Sequence, residues 1–126
     1  MSITEEQTVP EWLRRHYELV DAADLDRYSQ DFTDDIEVRF GSAEAVRGLE
    51  AVRERLAAGH RRGMRHVFER VWISDPDVIV QFSVTYTLDG GREVTVPVVS
   101  LIRRREGLID RLQVFIDPTP LNGPGS

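Results

Sequence analysis

The sequence predicts an α+β fold: a cone-shaped, strongly curved, mostly antiparallel sheet with three helices from the N-terminal half on its concave face. Three observations carry that prediction. The helical periodicities come early in the chain, and four alternating strand patterns then follow one another with only short turns between them. The length, 126 residues, suits one domain and is too short for two cores of ordinary size.

Thr8-Val9-Pro10-Glu11 has the form of a capping box, with proline early in the first turn where its missing N–H costs little. The helix it opens places Trp12, Leu13, His16, Tyr17 and Val20 on one apolar stripe. Asp24 is positioned to cap a second helix reaching about Asp31, since Leu25, Tyr28 and Phe32 repeat at helical spacing. Residues 36–40 alternate, with Ile36, Val38 and Phe40 on the apolar face of a half-buried strand. After a loop from Gly41 to Val46, Leu49, Val52 and Leu56 mark one face of a third helix, which Gly59 is placed to end.

Beyond Met64 the period changes to two. Strands are expected over about 65–74, 78–88, 93–104 and 108–117, with Asp75-Pro76-Asp77, Asp89-Gly90-Gly91 and Arg105-Glu106-Gly107 as turns, which makes an antiparallel meander. The single domain spans 1–126, its core about 8–117, and the Pro/Gly-rich tail 118–126 is expected to be loosely held. Three helices cover one face of such a sheet. The other face carries Gln81, Ser83, Thr85 and Thr87, a semi-polar surface that predicts a homodimer.

Composition narrows the chemistry. There is no cysteine, which excludes disulfides, thiolate metal sites and cysteine nucleophiles. All 16 basic residues are arginine, so lysine Schiff-base chemistry is excluded too. A net charge of -6 argues against a nucleic-acid partner. No stretch of about 20 apolar residues is present to span a membrane, and the acidic N-terminus is unlike a secretory signal, so a cytoplasmic location is expected. The histidines show no metal-ligand spacing, and neither metal nor cofactor is expected.

Several segments resemble the nuclear transport factor 2-like superfamily, in its SnoaL-like branch related to ketosteroid isomerase and polyketide cyclases. They are Asp21-Ala22-Ala23-Asp24-Leu25-Asp26, Phe32-Thr33-Asp34-Asp35, Arg47-Gly48-Leu49-Glu50-Ala51-Val52, and Asp110-Arg111 through Phe115-Ile116-Asp117-Pro118-Thr119-Pro120-Leu121. The resemblance implies the cone fold and a pocket, but no single reaction, because this scaffold hosts isomerases, cyclases, dehydratases, epoxide hydrolases and non-catalytic binders. Carried over by position, the ketosteroid isomerase tyrosine falls at His16, its general base at Phe40 and its protonated acid at Val99. The tyrosine, asparagine and aspartate of limonene epoxide hydrolase fall at Val38, Phe40 and Val114. Neither catalytic set is kept.

Proton-transfer candidates are therefore His16, His66 and Asp117, the last as a carboxylate that orients a histidine or takes a proton itself. His66 faces the cone only in one strand register; a slip of one residue turns it outward. The substrate-binding lining is expected from Trp12, Tyr17, Val38, Phe40, Phe82, Val84, Tyr86, Val99, Leu112 and Val114, which suits a small hydrophobic molecule. Two functions stay open at this point: a cofactor-free isomerase, cyclase, dehydratase or hydrolase working by proton transfer, and a non-catalytic module for ligand binding or dimerisation.

Overall fold

A computed structural model describes residues 8–59 and 63–122. The elements, in order, are α1 (Glu11–Asp21), α2 (Leu25–Tyr28), a 3-10 turn (Ser29–Asp31), β1 (Phe32–Phe40), β2 (Val46–Arg47), α3 (Leu49–Gly59), β3 (Gly63–Ser74), β4 (Asp77–Thr87), a second 3-10 turn (Asp89–Gly91), β5 (Glu93–Arg105), β6 (Leu108–Ile116) and α4 (Thr119–Asn122). The six strands form one curved, unclosed sheet in the order β2-β1-β6-β5-β4-β3. Strands β3 to β6 are the expected antiparallel meander, and β1 joins β6 in parallel, so the sheet is mixed at that one seam. Helices α1 and α3 pack on the concave side, against β3 and β1 respectively.

Three local expectations are corrected. Helix α1 starts one residue after Pro10, whose carbonyl accepts from Leu13 and Arg14, so Thr8 stands too far upstream to cap it and no side chain does. The short strand β2 arises where the expected loop ends, at Val46 and Arg47, paired with β1 at Glu37 and Val38. The start of the tail is held: Leu121 on α4 is buried with the core. Gly48 sits between β2 and α3 at φ +93, a backbone region that strains any side chain, and its N–H donates to the Ile36 carbonyl.

The core is built from Leu13 and Tyr17 of α1, Ile36 and Val38 of β1, Val52 of α3, and the inward rows of β4 and β5. Residues directly opposite each other on paired strands share a face. Val80↔Ser100, Phe82↔Val98 and Val84↔Val96 are such pairs, so the buried row of β4 draws Val96, Val98 and Ser100 inward. Among the described residues, no helix is long and apolar enough to cross a membrane.

Candidate functional site

The concave side leaves a cavity of about 550 Å³ between the helices and the sheet. Its walls come from α1 (His16, Tyr17, Val20), the mouth of β1 (Phe40), α3 (Arg55, Leu56), β3 (Met64, His66), and the inward rows of β4, β5 and β6. Gly41 follows β1 at this mouth with φ +54, and its N–H donates to the Val114 carbonyl at 2.8 Å.

His16 and His66 line the cavity, and an aspartate holds each through Nδ1. His16 Nδ1 lies 2.8 Å from Asp31 Oδ2, and His66 Nδ1 lies 2.6 Å from Asp21 Oδ1. Asp21 also accepts the His66 backbone N–H at 2.9 Å through its other oxygen. A carboxylate only accepts, so in each pair Nδ1 carries the proton and Nε2 is the ring nitrogen left for a ligand. The environments differ: the His16 side chain is 3% exposed and the His66 side chain 10%. His16 is also enclosed by aromatic rings, edge-on to Tyr17 at 5.2 Å and Tyr28 at 5.6 Å.

Tyr17 stands between the two. Its ring centroid is 4.8 Å from that of His66 and 4.7 Å from that of Phe82. Burial pushes the Tyr17 hydroxyl well above the ordinary phenol range; the Ser100 hydrogen bond works against this rise, and the negative charge of Asp21 adds to it. Tyr17 is therefore a neutral hydrogen-bond donor at physiological pH.

A β-bulge decides the direction of His66. From the turn, Ser74↔Asp77 through Arg70↔Gln81 keep one register, but Phe68↔Phe82 and His66↔Val84 lie one residue off it, because Glu69 has no partner of its own. An unbroken register would set His66 opposite outward-facing Thr85; the bulge sets it opposite buried Val84. Glu69 is clamped on the outer face by Ser83 Oγ at 3.0 Å and Gln81 Nε2 at 3.3 Å.

Of the residues expected in the lining, His16, Tyr17, Phe40, His66, Val84, Tyr86, Leu112 and Val114 border the cavity. Five others are placed elsewhere. Asp117 is exposed and accepts the Thr119 N–H at 3.0 Å, opening α4, and its carboxyl is held below the ordinary range by Thr119. Trp12 lies under the Arg104 guanidinium, 4.0 Å from ring centroid to Cζ. Val38 and Phe82 are buried in the core, filling the space the cavity does not reach. Val99, paired with Gln81 and Phe115, is 36% exposed on the convex face because β5 turns its even-numbered residues inward.

The same parity brings in Val98 and Ser100, which the sequence reading passed over, together with Tyr28, Phe32, Arg55 and Leu121. The carboxylate partners Asp21 and Asp31 were also missed. The arginines of the β5–β6 turn serve structure: Arg103 grips buried Asp110 at 2.9 and 3.2 Å, and Arg105 pairs with Asp35 at 2.7 Å. His60-Arg61-Arg62 lies outside the described residues. Among the described residues no group of three or more His, Asp or Glu is arranged to hold a metal ion.

A mixed sheet curled around helices, with an apolar cavity opening between them, defines a protein of the nuclear transport factor 2-like fold. The family model of the SnoaL-like domain matches residues 13–112, and the chain belongs to that family. No curated protein matches the chain. Among solved structures, it is similar to a Catenulispora acidiphila protein with a ketosteroid isomerase-like fold, in complex with trimethylamine, at 14% identity, TM-score 0.80, and 90% coverage of both chains. A Jannaschia protein named as a SnoaL-like polyketide cyclase is 24% identical, TM-score 0.69, over 94% of this chain and 99% of its own. An LEH-like epoxide hydrolase of M. tuberculosis is 15% identical, TM-score 0.76, over 88% and 84%. At these identities the likeness is one of fold.

Proposed function

We propose that this protein is a cofactor-free enzyme that moves a proton on a small hydrophobic carbonyl compound held in the cavity. The observation that supports it is the placement of the ring of a neutral tyrosine against that of a histidine whose Nδ1 is tied to a carboxylate. In this reading His66 Nε2 takes a proton from the carbon next to the carbonyl, and the charge gained by the ring is shared with Asp21. Tyr17 donates to the carbonyl oxygen as negative charge builds there, while the Ser100 hydroxyl donates to the Tyr17 oxygen. The proton then returns to the same or a different carbon, which gives isomerisation or prepares a ring closure. His16, more deeply enclosed and held by Asp31, is a second polar contact for the ligand.

The apolar majority of the walls favours a second reading, a non-catalytic holder of hydrophobic molecules. Exchange of the α-protons of 2-tetralone for deuterium separates the two: the enzyme reading expects catalysis above a matched buffer, the binder reading none. We further propose a homodimer through the convex face, where Val67, Ile79, Val99 and Phe115 are exposed around the polar pair Thr85–Thr95.

A further inference from the structure

Among the described residues, no carboxylate lines the cavity. Among the described lining residues, the two histidines aside, the only charged side chain is Arg55 of α3. Its guanidinium sits 4.6 Å above the ring of Phe40, which ends β1 at the mouth. Stacking on an aromatic face orients the planar group while leaving its N–H edges available. Those donors have no ion pair or hydrogen bond among the described residues, whereas Arg47, Arg53, Arg103 and Arg105 all have carboxylate partners. A cation with no partner among the described residues, at the door of an apolar chamber in a chain of net charge -6, is a local exception to the charge of the whole.

From this arrangement we infer that Arg55 recognises an anionic head on the ligand, and that the substrate class is an aromatic or alicyclic carboxylate whose apolar body lies in the cavity. A carboxylate matches the planar guanidinium edge with two parallel hydrogen bonds. One guanidinium also balances one negative charge; a phosphate dianion would leave an excess beside the Asp21 and Asp31 carboxylates behind the wall. The body would lie along Phe40 and Tyr86, with its far end toward Tyr17 and His66.

This inference deepens the reading of the cavity as a substrate site, and it is tested by binding alone. Isothermal titration calorimetry at low salt, with 2-naphthoate and its neutral methyl ester as probes, compares the wild-type protein with Arg55→Met and Arg55→Gln. Arg55 is exposed on its helix, and thermal melts check that both variants remain folded. The wild type is expected to bind the carboxylate about tenfold tighter than the ester, and both variants to lose that preference by weakening the carboxylate alone. An unchanged preference in folded variants, equal binding of the two probes by the wild type, or binding of neither overturns the inference. No turnover is needed, so a failed proton-exchange assay would refute the enzyme reading and leave this result standing, and the converse holds.

Discussion

Asp21 holds His66 by two atoms at once, accepting its ring Nδ1–H at 2.6 Å and its backbone N–H at 2.9 Å. The contact ties the last residue of α1 to the start of the long strand β3, so one carboxylate sets both the tautomer of a cavity histidine and the seat of the helix on the sheet. Asp21→Asn keeps the shape and removes the charge. Its expected effects are a loss of about 1–3 kcal/mol in stability, read by denaturant unfolding, and a disturbed His66 tautomer, read in the ring nitrogen shifts by NMR. An unaltered Nδ1–H tautomer in this variant would mean that the ring does not depend on Asp21.

His16 makes a different demand. Its ring is enclosed by Tyr17, Tyr28 and Phe32 and tied to Asp31. His16→Phe preserves volume and suits that aromatic surround, so the protein should fold with a loss of about 1–2 kcal/mol from the missing hydrogen bond. If Nε2 meets the ligand, binding of a polar ligand group weakens in the same variant. A melting temperature and a titration with 2-tetralone check both, and unchanged binding in the folded variant would remove His16 from the site.

The convex face supplies a prediction about assembly. Val99 and Phe115 are paired across β5 and β6, 36% and 50% exposed. Sedimentation at tens of micromolar should give a dimer for the wild type and a monomer for Phe115→Glu, since a buried unpaired carboxylate opposes association. A wild-type monomer at that concentration would count against the interface.

Asp35 offers a pH test away from the cavity. The Arg105 hydrogen bonds lower its carboxyl to about 2 from an ordinary value of 3.8. Because the folded value is the lower one, the stability this pair contributes is present above about pH 4 and is lost as the pH falls through about 2. Arg105→Gln should return the Asp35 carboxyl toward its ordinary value in an NMR titration. A carboxyl that titrates at about 2 in that variant would show that the arginine is not the cause.

Much of the fold is legible in the sequence because it is written in periods. The His16–Tyr17 stripe of α1 and the Val78–Val84 row of β4 each point one way, and both rows are buried. The parity of β5 is written in Val94, Val96 and Val98 but blurs at the lining residues, since Val98 and Val99 are adjacent and apolar while the inward Ser100 is polar; the partner row on β4 settles it there. The direction of His66 depends on the Glu69 bulge, which has no glycine or proline to announce it. Asp31 is brought to His16 by a chain reversal between α1 and β1, a long-range contact that no local pattern reports. Asp21 did leave a signal. It ends α1 with no basic residue in the last turn, where its charge opposes the helix dipole, so a partner elsewhere is implied.

The most direct test of the account is the rate at which the protein exchanges the α-protons of 2-tetralone for deuterium, measured by NMR for the wild type and for His66→Gln. If His66 Nε2 is the base beside Tyr17, the wild type exceeds the buffer rate, and the variant, still folded, loses about 10²- to 10⁴-fold of the protein-catalysed part. Equal rates in the wild type and a folded His66→Gln protein, or no acceleration by the wild type, would contradict it.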